Sequence, residues 1–150
     1  RVIDFARLLT NADDAEFARR VGDFLDIDQF SRFMAVTVYL STLDSILAMG
    51  QNFVVHLHPK SNRFQFIPWD LDHSFGQFFL MGSQEQRDNL SIKTPWTGDN
   101  RFMERVFKVE AFQKAYRGHL EEFAKSLFQS DRFHRQVDAL AVALRPAPRP

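Results

Sequence analysis

Two aspartates stand close together in the middle of the chain, within the segment Ile67-Pro-Trp-Asp-Leu-Asp-His-Ser-Phe-Gly76. Apolar residues precede Asp70 and Asp72, and an aromatic residue and a glycine follow them. We therefore expect both carboxylates to emerge where a strand ends and a loop begins. Carboxylate oxygens in such a position suit Mg²⁺ or Mn²⁺ bound together with phosphate groups. The alternative is an ordinary turn formed by two aspartates beside a surface loop.

Two further polar residues precede this segment. Asp44 follows an apolar helical run, and we expect it to close that helix, where an acid opposes the helix dipole at a cost of about 0.3–1 kcal/mol. Asn52 comes eight residues later, at the start of the first predicted strand. Taken singly, Asp44 can cap the next turn and Asn52 can be a loop residue after Gly50. Taken with Asp70, they form an ordered set: an acid after a helix, an asparagine, a hairpin, and an acid where the hairpin ends.

This order is typical of phosphoryl-transfer enzymes of the protein-kinase type. In those enzymes an aspartate positions the acceptor hydroxyl, an asparagine binds one metal ion, and a second aspartate binds metal that bridges the nucleotide phosphates. Catalysis depends on positioning and on neutralising charge, so few residues are needed, but they must converge. The hypothesis therefore requires Asp44 and Asp70 to share one cleft.

The elements that would position these residues are mainly helical. Asp13 with Glu16, and Asp26 with Gln29, have the spacing of helix N-terminal capping pairs. The second pair introduces a helix that we expect to be buried on most sides and to run to about Ser41. Apolar spacing in the final third predicts three more helices, at about 102–109, 112–127 and 133–144.

The middle of the chain changes period. Alternating side chains flank the turn-forming tetrad Pro59-Lys-Ser-Asn62, which predicts a β-hairpin from about 52 to 69. Pro68 has no N–H for a strand ladder, so the second strand should end or lie at an edge there. The segment 70–101 fits neither period and is expected to be a long functional or mobile loop. The predicted fold class is α+β, mainly α, with a central hairpin.

Composition narrows the function classes. The chain has 150 residues, 19 basic and 19 acidic side chains, no cysteine and 17 phenylalanines. The balanced charge gives no global field for binding nucleic acid, and the lack of cysteine excludes disulfides and thiolate metal sites. No apolar run approaches the roughly 20 residues of a membrane span. We expect a soluble domain whose core is packed with phenylalanine.

The sequence also resembles a known family, the spore-coat protein H (CotH) kinases. The resemblance covers about residues 20–130, and its specific part is the tryptophan-Asp-x-Asp-x-x-Phe-Gly element at 69–76. It continues through Asp26-Ile-Asp-Gln-Phe, Ala35-Val-Thr-Val-Tyr-Leu, Asp44 and Asn52-Phe, and more weakly into Asn100-Arg-Phe-Met-Glu-Arg-Val-Phe.

The resemblance implies an atypical, bacterial-type protein kinase that uses ATP and Mg²⁺ or Mn²⁺ to phosphorylate Ser or Thr in partner proteins. Asp44 would be the catalytic acid, Asn52 and Asp70 the metal ligands, and Asp72 a second acid at the site. It also implies a secreted, cell-surface or spore-coat location.

The chain departs from the family pattern in one important respect. It has no nucleotide-binding lysine or phosphate-covering loop, which the family places upstream, and Lys60 in the hairpin turn is a poor substitute. We therefore expect residues 1–144 to be the helical C-terminal lobe of a kinase-like fold from a longer protein, with the N-terminal lobe absent and the fragment inactive alone. Residues 145–150, which contain three prolines, read as a Pro-rich linker.

Other side chains are weaker candidates. Trp69, His73 and Arg101 are assigned to nucleotide or substrate contact. His56 and His58 share one strand face and could ligate zinc together with Asp70 or Asp72.

Three other functions stay open. A D-x-D glycosyltransferase would also use Asp70 and Asp72, but should have a parallel βαβ sheet. A glycosidase is disfavoured because acids two apart on a strand do not face each other as such catalysis requires. A coat or surface scaffold would keep the kinase-like fold without phosphate transfer.

Overall fold

The computed structural model describes residues 1–144, so the predicted linker at 145–150 lies outside the described residues. The described chain contains seven helices and a two-stranded antiparallel sheet: α1 (Val2–Asn11), α2 (Asp14–Phe24), α3 (Ile27–Tyr39), β1 (Phe53–Leu57), β2 (Phe64–Pro68), α4 (Gln84–Asp88), α5 (Arg101–Val106), α6 (Glu110–Ser126) and α7 (Ser130–Ala143). The prediction of a mainly helical α+β fold is confirmed. Within residues 1–144, no helix is long and apolar enough to cross a membrane.

Both predicted N-terminal caps form. The Asp13 carboxylate accepts from the Glu16 backbone N–H at 2.7 Å, and the Asp26 carboxylate accepts from the Gln29 N–H at 3.3 Å. Each bond satisfies a backbone donor that the first helical turn leaves without a partner.

The hairpin also forms where the alternation predicts it. The two strands pair antiparallel, with Phe53 opposite Pro68 and Leu57 opposite Phe64, so the proline occupies the last position of its strand. The Gln29 side chain donates to the carbonyl of Phe66 and accepts from its N–H, at 2.5 and 2.8 Å. This exchange imitates a strand ladder, and it fixes the hairpin against α3.

The core is built of aromatic rings around α3. Phe30 is fully buried, and its ring lies within 4.8 to 5.9 Å of four other phenylalanine rings, contributed by α3, β2, α5 and α6. Aromatic pairs at this separation add to the free energy gained by burying their area. The phenylalanine-packed core is therefore confirmed. Not every phenylalanine joins it, because Phe75 and Phe79 are 55% and 71% exposed.

Two predictions about elements are wrong. The segment 70–101 is not wholly irregular, because α4 lies within it and begins with a capping box between Ser83 and Gln86. Five residues are too few to show a helical period. The final helix, α7, forms as predicted, but none of its residues is buried, so its apolar stripe is not part of the core.

Candidate active site

Asp44 lies in a loop rather than at the end of a helix. Helix α3 ends at Tyr39 with Leu40 as its C-cap, and the chain then turns repeatedly from 40 to 50. The expectation that Asp44 closes the buried helix, with its helix-dipole argument, is therefore wrong. Ser45 organises this loop, since its carbonyl accepts from the N–H of Gly50 at 2.9 Å and its hydroxyl donates to the carbonyl of Thr42.

Asp44 is buried and held by two side-chain amides. Only 8% of the surface of Asp44 is exposed to solvent. The Asn52 amide nitrogen donates to the Asp44 carboxylate oxygen Oδ2 at 3.0 Å and to the Asp44 carbonyl oxygen at 2.9 Å. The Gln51 amide donates to the other carboxylate oxygen, Oδ1. A buried carboxylate needs such donors, because desolvating it without partners is costly.

Asn52 connects this loop to the hairpin exit. Its carbonyl accepts from the backbone N–H of Trp69 at 3.0 Å, so Asp70 is the next residue along from a direct partner of Asn52. Asn52 and Asp70 both adopt left-handed backbone conformations, with φ of 58° and 50°. Asn and Asp tolerate this region better than other non-glycine residues. Asp44, Asn52 and Asp70 are thus joined through one short path of hydrogen bonds and covalent links.

The loop that carries the acids is pinned to the residues after α3. The backbone N–H of Phe75 donates to the Leu40 carbonyl at 2.6 Å, and that of Gly76 donates to the Ser41 carbonyl at 3.2 Å. A third contact joins the same two segments, since the buried hydroxyls of Thr42 and Ser74 lie 2.9 Å apart. The segment from Asp70 to Gly76 is therefore attached to the same loop that holds Asp44.

Arg87 is a buried residue that holds the chain just after the segment from Asp70 to Gly76. It is 8% exposed, and its guanidinium donates to the carbonyl of Gly76 at 2.6 Å, to the carbonyl of Gly82, and to the Gln84 side chain at 2.8 Å. Its own carbonyl accepts from the Ser41 hydroxyl. A buried guanidinium satisfied by carbonyl oxygens orders the backbone around it, since its donors have a fixed planar geometry.

The donor set fits a hard divalent cation only in part. Asp70 and Asp72 are exposed, and within residues 1–144 no group of three or more His, Asp or Glu side chains is placed to hold a metal ion. The amide nitrogen of Asn52 donates to Asp44, and the amide oxygen of Asn52, Oδ1, is left available as a ligand for a cation. One amide oxygen and one or two carboxylates suit Mg²⁺, which usually takes its other ligands from water and phosphate.

The lack of such a group among the described residues also bears on the zinc hypothesis for His56 and His58. His58 already accepts from the Ser61 N–H through Nδ1 at 3.2 Å, and the rings of His56 and His58 have centroids 6.3 Å apart. No carboxylate completes a zinc cluster with them among the described residues.

The weaker candidates occupy different positions. Trp69, which is 66% exposed, stands beside Asp70 and is free to contact a ligand. His73 packs its ring 5.6 Å from that of Phe78. Arg101 begins α5 and donates to the Thr10 carbonyl at 3.2 Å, so its hydrogen bond joins α5 to α1 rather than to the acids.

A separate cleft of about 530 Å³ lies along α6 and contains none of the candidate residues. It is lined partly by Ile92, Phe107, Tyr116 and Leu120. The Tyr116 hydroxyl donates to the Ile92 carbonyl at 3.1 Å, and burial raises the pKa of this tyrosine. Volume alone does not identify the site, since the convergent polar groups lie elsewhere.

Several residues of the site were not singled out from the sequence. Four of them hold the site through contacts between segments, which a linear pattern does not show: Gln51, Thr42, Ser74 and Arg87. The only local signal was the position of Gln51 next to Asn52.

Comparisons with known proteins give one family. The family described as CotH kinase protein matches residues 1–148 of the chain. The chain is also similar to the inner spore coat protein H of Bacillus subtilis (strain 168), with 26% identity over 132 residues, which is 88% of this chain and 34% of the relative. The chain thus spans about a third of the length of that relative.

Proposed function

The chain belongs to the CotH kinase protein family, and from this premise we propose that it is the catalytic and metal-binding lobe of an ATP-dependent protein kinase. The kinase would transfer phosphate to Ser or Thr of a partner protein and depend on Mg²⁺ or Mn²⁺. The observation that carries the proposal is the hydrogen bond of Asn52 to the buried Asp44, together with the bond of Asn52 to Trp69 beside Asp70.

In this proposal the residues have distinct roles. Asp44 orients the acceptor hydroxyl and takes its proton, using lone pairs that its two amide partners leave free. Asn52 Oδ1 and the Asp70 carboxylate would hold the cation, with Asp72 as a second acid nearby. When bound, the cation neutralises charge on the nucleotide phosphates. Trp69 and His73 are assigned to nucleotide or substrate contact.

The lysine that pairs with the phosphates is assigned to residues outside this chain. Lys60, the one lysine of the hairpin, lies in the turn at the opposite end from Asp70. The relative is about two and a half times as long as this chain, and a second lobe of the same protein would supply both the lysine and the loop that covers the phosphates. The described lobe would then be inactive alone. A spore-coat or surface location is part of the proposal, because the relative is named as a coat protein.

The second candidate is a coat scaffold that keeps the fold without transferring phosphate. It is favoured by one observation: both carboxylate oxygens of Asp44 already accept from amides, so Asp44 has a structural role without any substrate. A D-x-D glycosyltransferase is not supported, because the described sheet has two antiparallel strands and no parallel crossover.

The test is phosphate incorporation by the full-length protein with labelled ATP and Mg²⁺. We expect Asp44→Asn and Asp70→Asn each to reduce the rate by about 100-fold or more, because each removes a charge that acts in the transition state. Asp23→Asn, at an exposed aspartate of α2, is the matched control and should leave the rate unchanged. An unaffected rate in Asp70→Asn would reject the metal assignment. Nucleotide binding without turnover in the wild type would support the scaffold.

A further inference from the structure

Gln51 and Asn52 hold the two oxygens of one carboxylate between them. The Gln51 amide donates to Asp44 Oδ1, and the Asn52 amide donates to Asp44 Oδ2 at 3.0 Å. Two independent donors fix both the position of the carboxylate and its rotation about the side-chain bond. A single donor would leave that rotation free.

This double contact depends on an unusual backbone. Side chains of successive residues in an extended chain point in opposite directions. Here Gly50 and Asn52 both have left-handed conformations, with φ of 68° and 58°, and these turns bring both amides to the same carboxylate. Placing the two donors at Asp44 thus requires a glycine-dependent conformation at Gly50 and a strained one at Asn52.

The chemistry of the two donors is also informative. Asp44 is 8% exposed, and a lysine or arginine partner would satisfy it by forming an ion pair. A neutral amide satisfies the same oxygens without adding a positive charge, so the carboxylate stays uncompensated and its remaining lone pairs can accept a hydrogen bond from a hydroxyl group. The described hydrogen bonds of Gln51 include no other side-chain partner, so its amide serves Asp44.

We propose that Gln51 is a positioning residue that fixes the orientation of the Asp44 carboxylate toward the acceptor hydroxyl. This inference rests on the proposed function for its kinetic consequence. The contact between Gln51 and Asp44 does not depend on the proposed function, and it can be measured without turnover.

The kinetic test compares variants of the full-length protein. Gln51→Met keeps the length of the side chain but removes the donor, and we expect kcat to fall at least about tenfold while the KM for ATP stays within about twofold. Gln51→His retains an N–H donor and should recover much of the rate. Gln65→Met is the matched control, because the Gln65 amide donates to the Asp26 carboxylate at 2.9 Å, away from the site. It should leave kcat unchanged. An unchanged kcat in Gln51→Met would overturn the proposal.

The contact is tested by the NMR signals of the Gln51 side-chain amide. In the wild type we expect them to be shifted away from free glutamine, and Asp44→Ala should move them back. Signals of Gln51 that ignore Asp44→Ala would overturn the proposal whether or not phosphate is transferred. Absence of phosphate transfer by the wild type would instead reject the proposed function, and the NMR result would then decide whether Gln51 holds Asp44.

Discussion

The backbone N–H of Trp69 donates to the carbonyl oxygen of Asn52 at 3.0 Å, which joins the two ends of the hairpin beside the candidate site. The side chain of the same asparagine reaches back to Asp44. Asn52 therefore couples the acid in the loop after α3 to the acid after β2.

Asn52→Ala should cost more stability than Asn62→Ala. Both asparagines have left-handed φ, 58° and 53°, so both substitutions carry the same backbone penalty. Only Asn52 also donates to a buried carboxylate, and losing that donor should add about 1–3 kcal/mol. Urea unfolding of the two variants measures the difference. Equal losses of stability would show that the Asp44 contact contributes nothing.

Gly76→Ala should destabilise the protein more than Gly98→Ala. The two glycines have φ of +68° and +66°, so alanine at either position is strained by about 1–2 kcal/mol. At Gly76 a new Cβ would also lie 2.8 Å from the Asp88 carboxylate and 3.2 Å from the Arg87 Cβ, whereas at Gly98 nothing lies within 4 Å. Overpacking should add about 1–3 kcal/mol at Gly76. Thermal unfolding of both variants would measure this, and equal midpoints would contradict it.

The Thr42 and Ser74 hydroxyls should show energetic coupling. Ser74 donates its one hydroxyl proton to the Leu71 carbonyl at 2.8 Å, so Thr42 must be the donor in the bond between the two hydroxyls. Thr42→Val should cost about 1 kcal/mol, and Ser74→Ala more, because it leaves a buried hydroxyl without an acceptor. A double-mutant cycle measures the coupling. Thr37→Val removes a buried hydroxyl that bonds only within α3 and serves as the control. Additive losses for Thr42 and Ser74 would rule out the bond.

Arg87→Lys and Arg105→Lys should both lower stability, but only the first should lower phosphate transfer. Each arginine is buried, 8% and 4% exposed, and donates to backbone carbonyls, those of Gly76 and Gly82 for Arg87 and those at the end of α1 for Arg105. Lysine cannot reproduce the planar set of donors, so each change should cost about 2–3 kcal/mol. Rates measured well below both unfolding midpoints separate the effects. Equal loss of transfer in the two variants would mean that Arg87 affects the site only through global stability.

Much of the fold was predictable because it depends on local patterns. The caps at Asp13 and Asp26 follow from side-chain chemistry three residues from their partners, and the hairpin follows from alternation around a turn-forming tetrad. Helix α4 was missed because five residues show no period. The pattern predicts an end of α3 near Ser41 rather than Tyr39, because apolar residues after Tyr39 are buried in a loop and continue the helical spacing where the helix has ended.

The types and order of the residues available for chemistry can be read from the chain directly: Asp44, Asn52, Asp70 and Asp72, in an order typical of phosphoryl transfer. How these side chains are held depends on the folded molecule. The left-handed turns at Asn52 and Asp70, the second amide from Gln51 and the buried bond between Thr42 and Ser74 all arise from contacts between segments. Such contacts leave no periodic trace in a sequence, because they depend on where loops meet once the aromatic core has fixed the helices and the hairpin.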